Sequence, residues 1–182
     1  MINMRKISIK ELCFIGLFTA AIAVCAQIAI TLPGGVPFTL QTWAICLAGV
    51  LLGTKNGAIS ALVYVLLGVA GVPVFANFTG GLGAFLRPTG GFILTFPLLA
   101  LLAGIGESMK RVHWLVAGLV AGTIVNWLVG MIYFSFILST SLQTAFAAAV
   151  LPFIPSAILR IAFVTVSGKS IKAALAKRGF II

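Results

Sequence analysis

The sequence predicts an all-α integral membrane protein: one domain over residues 1–182, built of six transmembrane helices with both termini cytoplasmic. Hydrophobic residues make up 62% of the chain and charged residues 8%. An ordinary soluble domain is about 25% charged, so too few polar side chains remain here to clothe a water-facing surface. The charges are clustered, and the uncharged stretches between them are long enough for one or two bilayer crossings of about 20 residues each. Nearly all the basic residues fall at alternate boundaries of those crossings.

The start, "MINMRKISIK", precedes an apolar run and superficially resembles a signal peptide. With no soluble domain after it, it reads as a first span that stays in the protein. Residues 12–54 carry no charge and suffice for two passes, broken at "TLPGGVPF", where Pro33, Gly34, Gly35 and Pro37 stop a helix. Residues 56–106 hold one charge, Arg87, and again make two passes, separated by the glycine-rich "ANFTGGLGAFLRPTGG" of residues 76–91. The second and third spans are short. Within the uncharged residues 114–159, one long helix runs from about Trp114 to Ser139. After "STSLQT" the sixth begins near Pro155, a residue suited to a first helical turn. It has to reach about Gly168 to span, which puts Arg160 inside the membrane.

Twelve Lys and Arg stand against two acids, a net charge of +10. All but Arg87 and Arg160 share the side of the termini: Arg5, Lys6, Lys10, Lys55, Lys110, Arg111, Lys169, Lys172, Lys177 and Arg178. The positive-inside rule makes that side cytoplasmic and the three loops quoted above external. Such boundary cations meet anionic lipid of the bilayer. No basic stripe with interleaved aromatics points to nucleic acid. Cys13, Cys25 and Cys46 lie in apolar runs without a C-x-x-C pair and read as small core-filling residues. Small residues recur four apart, Gly16 with Ala20 and Gly118 with Gly122. That spacing lets helices approach closely, by default within the bundle, otherwise at a docking face for another membrane protein.

Polar groups within lipid are costly and ask for a reason. Thr39, Gln41 and Thr42 follow the first external loop; Asn77, Thr79, Arg87 and Thr89 belong to the glycine-rich one. Arg160 lies about 7.5 Å along its helix from Pro155. These segments converge on the outer end together with Phe38, Trp43, Phe75, Phe78 and Phe85. An apolar pocket with a few convergent polar groups is the usual form of a small-molecule site, and Gly80 and Gly81 let backbone approach a ligand closely. The aromatics also suit a membrane-interface belt, and Arg87 suits snorkelling to headgroups. Arg160, between Leu159 and Ile161, asks for a ligand or a partner. Asn126, midway along the fifth span, reads as an interhelical hydrogen bond.

The two acids, Glu11 and Glu107, sit at inner boundaries, Glu107 on a charged loop with His113. No carboxylate pair, metal cluster or histidine relay can be assembled near the outer site, which argues against acid–base or metal-assisted chemistry. "GTKNGAIS" lacks the spacing of a phosphate-binding loop. The expected activity is binding rather than catalysis, without a cofactor.

The stretch "VPFTLQTWAICLAGVLLGTKNGAISALVYVLLGVAGVPVF" followed by "GGLGAFLRPTGG" resembles the BioY family, the biotin-specific substrate-binding (S) components of ECF transporters. The resemblance covers most of the chain and is densest over residues 36–91. It implies six helices, capture of biotin outside, and delivery inward with a transmembrane coupling subunit and two ATPase subunits, by toppling of the S component in the membrane. Gly16 and Ala20 resemble the small-residue motif that faces the coupling subunit in such proteins. Candidate ligand residues are Gln41, Asn77, Thr79, Gly80, Gly81, Arg87 and Arg160. The family's Pro-Gly-Asp-x-x-Lys corresponds here to "PSAILR": Arg160 keeps the cation, and Ala157 takes the place of the acid. An S component for another vitamin such as thiamine or riboflavin is the nearest alternative, and those ligands lack an anionic tail of this kind. A small membrane enzyme or a structural membrane protein is a more distant one.

Overall fold

In the computed structural model, residues 8–31 and 35–177 are described. The cations Arg5, Lys6 and Arg178, and Pro33 and Gly34 of the first loop, lie outside the described residues.

Helix α1 (Ile9–Gln27) starts on a capping box, in which Ser8 accepts from the Glu11 amide and the Glu11 carboxylate accepts from the Ser8 amide. The chain then forms two short antiparallel strands, β1 (Ala29–Thr31) and β2 (Pro37–Thr39), with Ile30 opposite Phe38. Helix α2 (Gln41–Val69) is interrupted at Gly53, whose φ of 79° and ψ of 177° are accessible essentially to glycine. There the chain doubles back. The Tyr64 hydroxyl donates to Gln41 Oε1 at 2.9 Å, whereas residues so spaced in a straight helix stand roughly 34 Å apart. Gly57 lies against Gly49 so closely that a Cβ on it would sit 2.6 Å from the Gly49 Cα. α2 is thus the expected pair of short passes, residues 41–52 and 54–69.

Two 3-10 turns (Ala76–Phe78 and Leu82–Ala84) and a short α3 (Gly90–Leu94) lead into α4 (Phe96–Ser108). The long α5 (Val112–Leu138), a short α6 (Leu142–Ala149), a further 3-10 turn (Leu151–Phe153) and α7 (Ile154–Lys177) complete the chain. The six principal helices are α1, the two arms of α2, α4, α5 and α7, as the sequence predicts. Among the described residues, four helical runs are long and apolar enough to cross a membrane: α1, α2 counted through its turn at Gly53, α5, and the α6–α7 run from Leu142 to Ala174.

The strand pair and α6 were not expected. β1 continues the apolar run of α1, so hydropathy carries no break. In "STSLQT" Ser141 is an N-cap, accepting from the Thr144 amide, and the segment read as a loop becomes a helix. α7 runs on past Gly168 to Lys177.

Apolar surfaces gain little from meeting one another in lipid, so close packing at small residues matters more. The α2·α4 contact is the most extensive in the protein. It rests on Gly49, where a Cβ would lie 2.1 Å from the Ala100 carbonyl oxygen, and on Gly104, set against Thr54. Gly118 and Gly122 pack internally against α4. Gly16 and Ala20 do not. Both are exposed on α1, on the side away from its buried Ile15, Thr19, Ile22 and Ala26, and a Cβ on Gly16 would meet nothing within 4 Å. Cys13 shares the exposed face, which corrects its expected place in the core; Cys25 is half-buried, Cys46 is buried, and all three are free thiols. Every face of α1 is largely apolar, so hydropathy does not separate its packed side from its outer side. Glu107 belongs to the last turn of α4 rather than to a loop, and it pairs with Lys172 of α7 at 3.1 Å.

Candidate functional site

At the end of the bundle opposite that ion pair lies a cavity of about 340 Å³. Its walls come from the strand pair and the first turn of α2, from the glycine-rich segment with α3, and from α5, α6 and α7. The short arms of α2 leave the recess, and the loops wall it in.

Of the seven ligand candidates, five line the cavity: Gln41, Asn77, Thr79, Arg87 and Arg160, joined by Thr39, Thr42 and Thr89. Gly80 and Gly81 do not. Gly80 backs onto the end of α2, where a Cβ would meet the Val72 carbonyl oxygen at 2.4 Å; Gly81, at φ 83°, donates its amide to the Gly68 carbonyl at 2.7 Å. This corrects the expectation that they face a ligand, since their freedom is spent on seating the loop against α2. Among the aromatics, Phe38 and Phe75 line the cavity. Phe75 is buried edge-on to both Tyr64 and Phe85. Trp43 turns instead to Phe163, with ring centroids 5.5 Å apart. Phe78 points outward, 71% exposed. Asn126 makes the expected interhelical bonds, donating to the Phe92 carbonyl at 3.0 Å and to Thr95 Oγ1 at 2.7 Å, and it also faces the cavity.

The two arginines differ sharply. Arg87 is exposed at the rim, and its side chain has no hydrogen-bond partner among the described residues. Arg160 is only 6% exposed. Its flanking residues Ile158 and Leu159 face outward while the guanidinium turns into the bundle. Nη2 donates to Thr123 Oγ1 at 2.7 Å, and Nε has no partner. No acid lies near: Ala157, one turn earlier, is buried beside the cavity, and Glu107 is held at the far end. A buried cation with one neutral hydrogen bond is a costly arrangement. An anion entering the cavity would meet its N–H groups directly, as an arginine fork receives a carboxylate.

Several residues that build this site escaped the sequence reading. Gln27, the last residue of α1, donates from Nε2 to the carbonyls of Val74 (3.1 Å) and Phe75 (3.2 Å), and its Oε1 accepts the Phe78 amide at 2.9 Å. Tyr64 holds Gln41 from below. The Tyr133 hydroxyl donates to the Phe85 carbonyl, tying the glycine-rich segment to α5. Trp127 adds an apolar wall. Gln27 carried a usable signal, as the one carboxamide in α1; Thr123 is three residues from Asn126 and so on the same helical face.

An all-α bundle of apolar helices with a cavity of small-molecule size at one end has the form of a membrane-embedded binding protein. The chain belongs to the BioY family, whose sequence profile matches residues 3–177. It is similar to the "Probable biotin transporter BioY" of Pyrococcus horikoshii, at 39% identity over 84% of this chain and 90% of the relative. It is also similar to the "Biotin transporter BioY" of Thermotoga maritima, at 38% identity over 80% of this chain and 85% of that one. Among solved structures it resembles the S-component for biotin from an ECF-type ABC transporter, with a TM-score of 0.83 and 28% identity over 95% of both chains.

Proposed function

We propose that the chain captures biotin as the S component of an ECF-type transporter and hands it inward through a transmembrane coupling subunit with two ATPase subunits. One observation carries the choice of ligand: the buried Arg160, with Nε unpartnered and no acid nearby, faces a cavity whose other lining residues are neutral polar and apolar side chains, apart from Arg87 at the rim. Biotin is apolar in its thioether ring and chain and ends in a carboxylate. That tail meets Arg160. The ring lies against Phe75, Phe96 and Trp127, and the ureido group, with two N–H donors and one carbonyl, meets Gln41, Asn77 and Thr79. Arg87 closes the rim. A vitamin without an anionic end leaves Arg160 unmatched, which disfavours thiamine or riboflavin as the ligand. The exposed Gly16–Ala20 face of α1 is the surface offered to the coupling subunit, with the termini cytoplasmic.

The test is a cycle of protein variant against ligand charge, by equilibrium binding to purified protein in detergent. A hydrogen bond to a charged group contributes about 1.5–3 kcal/mol, so Arg160→Ala should weaken biotin roughly tenfold to a hundredfold. It should hardly alter the weaker binding of the neutral biotin amide. Equal losses for both ligands would remove Arg160 from the carboxylate. A selective loss in Arg87→Ala alone would move the carboxylate to the rim.

A further inference from the structure

The geometry points to Gln27 as a positioning residue: from outside the cavity it holds the loop of residues 75–79 in the form that places Asn77 on the cavity wall. Gln27 itself does not line the cavity.

The loop needs an external hold. Asn77 (φ 57°) and Phe78 (φ 53°) are consecutive non-glycine residues in the left-handed region. Asparagine tolerates that region through its short polar side chain, whereas a bulky residue there is an outlier. Burial does not hold Phe78, because its ring is largely exposed. The loop's own bonds close a small ring: Phe75 and Thr79 exchange amide–carbonyl bonds at 2.9 and 3.3 Å, and Thr79 Oγ1 donates to the Ala76 carbonyl. The Phe78 amide points out of that ring, and its acceptor is Gln27 Oε1.

The demand at this point is specific. Two loop carbonyls, of Val74 and Phe75, and one loop amide, of Phe78, face the end of α1 together. A carboxamide supplies donor and acceptor at one tip. Glutamate offers only acceptors to those carbonyls, and methionine, of similar length, offers neither donor nor strong acceptor. The Ala23 carbonyl also lies 3.1 Å from Nε2, so the two N–H groups are shared among three carbonyls, and the carboxamide is fixed against its own helix. With the Gln27 bonds removed, the left-handed pair is free to relax, and Asn77 leaves its place.

The ligand side of this inference rests on the proposed capture of biotin, so the test has a ligand-free arm. In unliganded wild-type and Gln27→Met protein, amide hydrogen exchange is compared at Phe75, Phe78 and Thr79, with the α5 amides as internal reference. Exchange of the loop amides should quicken by about tenfold or more while α5 is unchanged. Unchanged loop exchange, or a rise shared by α5, overturns the inference. In the second arm biotin affinity is measured for wild type, Gln27→Met, Asn77→Ala and the double variant. Gln27→Met should weaken biotin by about tenfold in the wild-type background and by far less once Asn77 is alanine. Equal losses in the two backgrounds overturn the action through Asn77. If wild-type protein fails to bind biotin, the proposed ligand falls, and the exchange arm still decides the role of Gln27.

Discussion

Thr123 is the protein group to which Arg160 donates, and its hydroxyl in turn donates to the Leu119 carbonyl at 2.7 Å. It therefore presents a lone pair to the guanidinium in one direction and limits where Nε–H can aim. Thr123→Val keeps the volume and removes the acceptor. The expected result is biotin binding weaker by about tenfold and a lower melting temperature in the ligand-free protein, since a buried charge loses its partner. Thr123→Ser should stay within about threefold of wild type. Equilibrium binding and thermal unfolding of the two variants check it. At this scale the sequence was half informative. It exposed Arg160, because a cation between Leu159 and Ile161 is conspicuous. It marked Gln27 as the one carboxamide of α1 and set Thr123 on the face of Asn126, but it hid their roles, which depend on which helices meet.

The doubled α2 shows what can be read of an element and what cannot. The turn near Gly53 was legible from Lys55, the charge that divides the uncharged residues 12–54 from residues 56–106. Its closure was not, because it depends on Gly49 and Gly57 meeting across the two arms. Gly57→Val places a branched side chain where a Cβ already lies 2.7 Å from the Ala48 carbonyl oxygen. Overpacking of this kind costs about 1–3 kcal/mol or more, and the variant should melt several degrees below wild type when followed by helical circular dichroism in detergent. Gly16→Val, with open space around it, should melt as wild type does. The strand pair and α6 were illegible for a different reason. Both are short, and both lie in apolar or uncharged sequence that sets them apart from neither helix nor loop.

For the whole molecule, orientation rests on charge. In a Cys13→Ser background, Gly35→Cys should react in intact cells with a membrane-impermeant thiol reagent, and Lys169→Cys should resist it; the reverse pattern inverts the topology. The outward face of α1 supplies the matching prediction for assembly. Ala20→Trp should abolish co-purification with the coupling subunits and biotin uptake in cells while biotin binding to the isolated protein stays within about threefold. Binding that falls together with uptake would return Ala20 to internal packing. The unequal helix lengths have a consequence for the surrounding bilayer. The arm over residues 54–69 is roughly 24 Å long and α4 roughly 20 Å, against roughly 40 Å for α5, while the hydrocarbon layer is about 30 Å thick. One flank is too short for the lipid and another too long. Hydrophobic mismatch of this kind is relieved by local thinning on the short side and by leaning on the long side. A body whose flanks match different thicknesses has no upright pose free of elastic stress, and acyl-chain length becomes a control on its tilt.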